Sequence, residues 1–91
     1  MNLLDIYEEG GFHALRELAE KANTDAQYLR QLATGWRGKK PGPKLSKRLI
    51  EADPRLTWSG LYADVDPDRA RAVVRSVMQL HVRSQIAAEI K

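Results

Sequence analysis

The stretch that decides the fold spans residues 18–35 and reads LAEKANTDAQYLRQLATG. In its first part, Leu18, Ala19 and Ala22 recur at the spacing that places apolar groups on one face of a helix. The Asn-Thr-Asp run at residues 23–25 then interrupts this pattern, because Asn and Asp side chains bond to nearby backbone groups and compete with helix. The stretch therefore predicts a helix that ends at a short turn.

A second short helix is predicted directly after this turn. Asp25 can cap its first amide groups and lies favourably at the positive end of the helix dipole. Gly35 can adopt the left-handed conformation that closes a helix. Between them, Leu29 and Leu32 give the helix one apolar face to bury. Two short amphipathic helices joined by a tight turn are the pattern of a helix-turn-helix.

The whole chain is short and contains no cysteine. Its 91 residues fit one small domain. Apolar packing or oligomerisation must stabilise it, since disulfides and cysteine metal sites are excluded. No apolar run approaches the ~20 residues of a membrane span. The first residues, MNLLDIYEEGG, are acidic, unlike a signal peptide. We therefore expect a cytoplasmic protein that does not bind membranes.

The charges are segregated along the chain. Residues 26–50 contain seven Lys or Arg and no acidic residue, whereas residues 1–25 contain six acids and two bases. The formal net charge is only +3, so the distribution of charge is more informative than its total. A basic stretch that begins on the second helix of the pair is the electrostatic footprint of a protein that binds a polyanion.

Helix start and stop signals divide the rest of the chain. They predict an all-α fold, with a compact five-helix domain in residues 1–65 and a long C-terminal helix in residues 66–91. Trp58, Leu61 and Tyr62, on a brief helical piece, are expected to complete the hydrophobic core. The predicted helices span residues 2–10, 12–22, 25–34, 43–52, 57–64 and 66–90.

The C-terminal helix is apolar on more than one narrow stripe. It either folds back on the domain or pairs with the same helix of a second subunit. About 25 helical residues reach roughly 37 Å, longer than so small a domain is expected to be, and pairing is therefore favoured. The residues predicted to form the dimer interface are Val73, Val74, Val77, Met78, Leu80 and Val82.

The motifs of residues 1–66 resemble those of the lambda-repressor/Cro-like helix-turn-helix proteins. The similarity is carried by LAEKANTDAQYLRQLATG, by the basic loop RGKKPGPKL, and by KRLIEAD followed by LTWSGLYADV. Within this family the chain looks most like the YdaS-like prophage regulators, described as Cro-type repressors or as antitoxins. Many relatives carry glycine in the turn where this chain has Asn23, which also tolerates the left-handed conformation. The resemblance implies a lambda-repressor-like domain that binds double-stranded DNA.

The second helix of the pair, residues 25–34, is the predicted recognition helix. If Leu29 and Leu32 face inward, a rotation of about 100° per residue turns its polar residues outward. The major groove of B-DNA admits one α-helix, and base pairs are distinguished there by hydrogen bonds to their edges. In the resembling repressors, matching positions of this helix approach the bases. The residues predicted to read bases are Ala26, Gln27, Arg30 and Gln31.

The cations after this helix are expected to hold the DNA backbone, because neutralising phosphates supplies most of the affinity that does not depend on sequence. The Tyr28 ring is expected to be half-buried, with its hydroxyl able to reach a phosphate. Trp36 either packs back on the helix that precedes it or contacts the DNA backbone, and packing is favoured. The residues predicted to bind phosphate are Tyr28, Arg37, Lys39, Lys40 and Lys44.

Together these features predict a sequence-specific transcriptional regulator, a phage or prophage repressor of Cro type. One copy makes few base contacts, so a homodimer on a pseudo-palindromic operator is expected. No pattern of catalytic residues, metal ligands or phosphate-binding glycines is recognisable, and neither enzyme activity nor a cofactor is expected. The alternative is a protein-interaction module, an antitoxin or anti-repressor whose C-terminal helix binds a partner such as a toxin. A third reading is an architectural DNA binder without sequence preference.

Overall fold

Helices account for all regular structure in the part of the chain that the computed structural model describes, namely the backbone of residues 1–89 and the side chains of residues 1–79. The all-α class predicted from the sequence is confirmed. Within these residues, no helix combines the length and the apolar character needed to cross a membrane. The elements are α1 (Leu3–Ala22), α2 (Ala26–Thr34), a 3₁₀ turn (Trp36–Gly38), α3 (Pro43–Ala52), α4 (Trp58–Tyr62) and α5 (Pro67–Glu89).

Capping groups set the helix starts where the sequence predicts them. Asn2 and Asp5 form a reciprocal capping box, in which each side chain accepts a 2.9 Å hydrogen bond from the other residue's amide. Thr57 Oγ1 accepts a 3.0 Å hydrogen bond from the Gly60 amide at the start of α4. Pro43 is the first residue of α3, where its missing amide proton is no loss. Each cap satisfies amide groups that the helix itself cannot pair.

Gly11 turns two predicted helices into one kinked element. The sequence predicts separate helices on the two sides of the glycine pair at residues 10–11. In the structure α1 continues through this point and is interrupted only at Gly11, whose φ of 68° and ψ of −160° are not helical. Glycine adopts this conformation without steric cost. The kink lies beside α5, since a Cβ placed on Gly11 would sit 3.6 Å from Val77 Cγ1.

One hydrophobic core joins α1 to α2, α3 and α5. Its most deeply buried large side chains include Leu15, Leu29 and Leu49, each 0% exposed. Ala70 and Val73 of α5 are 5% and 4% exposed, so the first turns of this helix fold back on the domain. Burying one such aliphatic side chain contributes about 1.5–3 kcal/mol. The core therefore anchors the first turns of α5 on the domain.

The position of α5 corrects part of the predicted dimer interface. Val73 lies in the core of its own subunit and cannot also contact a second copy, so its assignment to the interface is wrong. The reason is that the first turns of α5 pack against α1 and join its core. Of the other predicted interface residues, Val74 and Val77 are partly buried against the same core. Met78 is 61% exposed. The side chains of Leu80 and Val82 lie outside those that the structure describes.

Trp58 and Tyr62 lie at the surface, and the prediction that they complete the core is wrong. Their exposed fractions are 48% and 41%, whereas Leu61, which lies on the same helix, is 5% exposed. The two rings are one helical turn apart and stack with their centroids 6.2 Å apart and their planes 3° from parallel. Ser46 Oγ donates a 3.4 Å hydrogen bond to the Tyr62 hydroxyl. Because α4 has only five residues, Leu61 occupies its inward face and the two rings cover each other instead.

Arg69 ties the start of α5 to the acidic start of α1. Its guanidinium contacts the Asp5 carboxylate and lies 3.3 Å from that of Glu8. Burial alone would raise the pKa of Asp5, but the hydrogen bonds from Arg69 and from the Asn2 amide outweigh it and lower this pKa below its usual value. A carboxyl group with a lowered pKa stabilises the folded state above its unfolded pKa, and this contribution is lost as the pH falls through the folded value.

Replacing Arg69 by Ala should therefore lower the melting temperature at neutral pH and change it little in acid. The stabilisation is fully present above the ordinary Asp pKa of ~3.9 and is lost as Asp5 becomes protonated in the folded state. Thermal unfolding followed by circular dichroism at about pH 7 and about pH 2 measures the difference from the wild type at each pH.

Arg71→Ala is the matched control for this experiment. Arg71 contacts Asp68 within the same helix, and both side chains are mostly exposed, at 73% and 87%. Exposed pairs of this kind contribute about 0–1 kcal/mol, so little effect is expected at either pH. A loss for Arg69→Ala that is the same at both pH values would contradict the assigned role of the Asp5 carboxylate.

Candidate nucleic-acid interface

Two residues in the left-handed conformation bound the segment that contains α2. Asn23, with a φ of 55°, ends α1, and Gly35, with a φ of 74°, ends α2. At the start of α2, Asp25 Oδ1 accepts a 3.1 Å hydrogen bond from the Gln27 amide. Gly35 also lies against Val65, since a Cβ on this glycine would come within 2.9 Å of Val65 Cβ. The predicted turn, cap and closing glycine are therefore all confirmed.

Helix α2 buries one face and exposes the opposite one. Leu29 and Leu32, which are 0% and 5% exposed, belong to the core that α2 shares with α1. On the other face, Gln27 and Arg30 are exposed and Gln31 is half-buried. The outward face thus offers an amide and a guanidinium about one helical turn apart. The Gln27 amide can donate one hydrogen bond and accept another, whereas the Arg30 guanidinium can donate two. Each can therefore bind a planar group through two hydrogen bonds.

Ala26 lies closer to the core than the rotation of about 100° per residue predicts. It is half-buried and packs against the core, because the tight turn brings the first residue of α2 close to the end of α1. Ala26 is therefore only partly turned outward, and its role in reading bases stays a prediction. Tyr28 is also half-buried and packs against the core, as the sequence predicts for its ring.

The turn after α2 displays an aromatic side chain beside two cations. Trp36 is 41% exposed, so part of its ring faces solvent, and its packing back on α2 stays a prediction. The Arg37 guanidinium carbon lies 4.4 Å from the centroid of the Trp36 ring, and Lys39 Nζ lies 5.2 Å from it, both within the range of cation–π attraction. Arg37 has a φ of 54°, which non-glycine residues rarely adopt. This cluster could have been predicted from the sequence, because both cations lie within three residues of the tryptophan.

Lys40 is engaged within the protein, and its assignment as a phosphate-binding residue is corrected. Its Nζ donates a 2.8 Å hydrogen bond to the Ala63 carbonyl oxygen and lies 3.2 Å from the Asp64 carboxylate. The side chain is 29% exposed. Lys40 thus joins the basic loop to the segment between α4 and α5. The two partners stand 23 and 24 positions away in the sequence, so the local charge pattern carried no sign of them.

Most cations of residues 26–50 have no ion-pair partner among the described side chains, and the same holds for Arg16, Lys21 and Arg75. The paired arginines are Arg55, Arg69 and Arg71. Arg55 bridges Asp53 and Glu9 at 2.9 and 3.2 Å. Its hydrogen bonds lower the pKa of Asp53 below the usual range. Among the described side chains, no ion pair involves the other cations of the basic segment. These are Arg30, Arg37, Lys39, Lys44, Lys47 and Arg48, and all of them are exposed.

Comparisons of the chain with protein-family models, with curated proteins and with solved structures find no match. The candidate site is therefore defined by the geometry and charge of the chain itself. We call the exposed side chains of α2 and of the turn after it the basic face. It consists of Gln27, Arg30, Gln31, Trp36, Arg37 and Lys39.

Replacing Lys40 by Ala should destabilise the protein more than replacing Lys39 by Ala. Lys40 makes a hydrogen bond to a carbonyl oxygen and an ion pair, and losing such a bond costs about 0.5–1.5 kcal/mol. Lys39 makes only an exposed contact with the Trp36 ring, worth about 0.5 kcal/mol. Urea unfolding gives the two changes in the free energy of unfolding. Equal values would contradict the internal role of Lys40.

Proposed function

We propose that this protein is a sequence-specific DNA-binding regulator of Cro type, with a lambda-repressor-like helix-turn-helix in which α2 is the recognition helix. One observation carries the proposal. The exposed face of α2 lies at the start of a segment whose exposed cations have no acidic partner among the described side chains. A surface with unpaired positive charge beside an exposed amide and guanidinium matches what duplex DNA offers, namely phosphates beside base edges.

In this proposal α2 recognises the bases. An α-helix with its side chains is about 10–12 Å across, so the nine-residue α2 fits a major groove about 12 Å wide. Gln27 is suited to a bidentate contact with adenine, and Arg30 to one with guanine. Each such pair discriminates against a wrong base by about 1–3 kcal/mol. Gln31 is half-buried and contributes through the part of its amide that solvent reaches.

In this proposal the turn after α2 and helix α3 bind the DNA backbone. Arg37 and Lys39 flank the recognition helix and neutralise phosphates, while the exposed Trp36 ring packs against a sugar. Lys44 lies in the first turn of α3, where no side chain caps the helix amides. Amide groups at a helix start attract phosphate oxygens. These contacts set the register of α2 in the groove and supply affinity that does not depend on sequence.

A homodimer completes the proposal. A nine-residue helix makes too few base contacts for tight and specific binding by one copy. Two copies on a pseudo-palindrome, with half-sites about 34 Å apart, double these contacts. Leu80 and Val82, whose side chains lie outside the described part of the chain, remain predicted interface residues.

Arg30→Ala should reduce sequence preference more than total DNA binding, whereas Lys39→Ala should weaken binding to all duplexes alike. Removing one phosphate contact also lowers the slope of log affinity against log salt by ~1. Selection from a random duplex pool first identifies the preferred site. Fluorescence anisotropy then gives the affinities for that site and for a random duplex at several salt concentrations.

Lys40→Ala is the matched control, because this neighbouring lysine is held by Ala63 and Asp64. It should leave DNA affinity unchanged at a temperature where the variant is folded. Equal affinity of the wild type for the selected site and for random duplex would contradict a specific regulator and favour an architectural binder.

Trp36 fluorescence should change when DNA binds. In a Trp58→Phe variant Trp36 is the only tryptophan, and phenylalanine preserves the stacking of an aromatic ring on Tyr62. Contact with a sugar removes water from the exposed ring and should shift its emission to shorter wavelength. In the reciprocal Trp36→Phe variant, the emission of Trp58 on α4 should stay constant. A change in the emission of Trp58 without a change in that of Trp36 would place the DNA at α4 and contradict the proposal.

A further inference from the structure

A groove of about 890 Å³ runs along α5 where this helix passes the end of α2. Ala70, Val74 and Met78 form its apolar floor and follow one another at intervals of four residues along α5. Thr34, the last residue of α2, contributes to the opposite wall. Exposure rises along the floor, from 5% at Ala70 to 61% at Met78. The groove therefore starts at the core and opens to solvent.

Two arginines border this floor on its solvent side. Arg71 and Arg75 line the groove and are exposed. In a helix, each arginine is rotated about 60° from the floor residue three positions later, which is Val74 for Arg71 and Met78 for Arg75. The rotation is away from Val73, which faces the core. Arg71 contacts Asp68 at 2.6 Å in an exposed pair that a partner can replace at little cost. No acid among the described side chains pairs with Arg75.

An apolar floor with a basic border selects its partner by shape and by charge. The floor residues are spaced to contact the apolar stripe of a second helix, which recurs every three to four residues. The arginines on one side then require acidic residues along the matching edge of that helix. A nucleic acid would satisfy the arginines but leave the apolar floor without a matching surface.

A second copy of α5 fits this groove less well than an acidic helix. Residues 67–79 contain three arginines and one aspartate, so two copies of this segment repel each other. Among the acids of α1, Asp5 and Glu8 are held by Arg69, and Glu9 by Arg55. An acidic helix of a different protein therefore matches the arginines better than a second copy of α5 does.

We propose that this groove binds an amphipathic helix of another protein, whose apolar residues recur every three to four positions and whose apolar stripe is bordered on one side by Asp or Glu. The helix lies along α5, with its apolar stripe on Val74 and Met78 and its acidic edge against Arg71 and Arg75. This interaction does not depend on DNA binding, because none of the groove residues belongs to the basic face.

The experiment is a selection from a displayed library of helix-forming peptides about 18 residues long, roughly five turns, with the folded full-length protein as target. The expected result is enrichment of peptides with a stripe of Leu, Ile or Met bordered by Asp or Glu. An enriched peptide is then labelled, and its affinity is measured by fluorescence anisotropy. The double variant Arg71→Glu, Arg75→Glu should weaken binding by about tenfold, equivalent to about 1.4 kcal/mol.

Replacing the acidic residues of the peptide by Lys should restore its affinity for this double variant and weaken its binding to the wild type. Met78→Glu, a change at an exposed position, should also abolish binding by placing a charge on the apolar floor. The matched control is the double variant Lys47→Glu, Arg48→Glu on α3, which changes the net charge equally at exposed positions. It should bind the peptide like the wild type. Far-UV circular dichroism checks that each variant is folded.

Four outcomes would overturn the proposal. They are the absence of enriched peptides, enrichment of basic peptides, binding that survives the arginine reversal, and a Met78→Glu variant that turns a dimer into a monomer in light scattering. The last result would assign the groove to a second copy of this chain. If the arginine reversal weakened duplex DNA binding as much as peptide binding, the border would instead belong to the DNA interface.

Discussion

The packing of α2 against α1 is the constraint on which the candidate interface depends. A helix of nine residues is not stable alone in water, because isolated helices shorter than about 12–15 residues are marginal. Leu29, Leu32 and Ala33 are 0%, 5% and 1% exposed, and their burial in the shared core keeps α2 helical. The same burial sets its rotation, so Gln27 and Arg30 face solvent. What holds the helix therefore also decides which side chains it presents.

Several ion pairs of the described side chains lie where α1 meets α5 and the loop after α3. Arg55 and Arg69 neutralise acids of α1 and of the loop after α3, and these pairs hold α5 and that loop against α1. The basic face keeps its positive charge, because no acid of the described part of the chain reaches it. An electrostatic field that favours a polyanion thus arises from where the acids are placed, although the net charge is only +3.

The two faces of α5 have different roles. One face completes the core through Ala70 and Val73, and an adjacent stripe stays open beside Thr34. The sequence pattern alone shows a helix with more apolar residues than one stripe needs. It cannot show how these residues are shared between the core and a partner, because that depends on how α5 packs against α1.

The sequence by itself determined the local features of this protein. The capping box at Asn2, the turn at Asn23, the cap at Asp25, the glycine that closes α2 and the proline that opens α3 depend on interactions within a few residues, so they are readable from the order of the chain. The amphipathic pattern of α2 also predicted its buried leucines and its exposed Gln27 and Arg30.

Only the tertiary structure decided the fates of Val73, Lys40 and the two tryptophans. Val73 is buried because α5 folds back on α1, and Lys40 is engaged because a carbonyl 23 positions later lies beside it. Trp36 and Trp58 are 41% and 48% exposed, although large apolar side chains are more often buried. For Val73 and Lys40 the deciding contact joins parts of the chain distant in sequence, and hydrophobicity and local spacing carry no information about which distant residues meet.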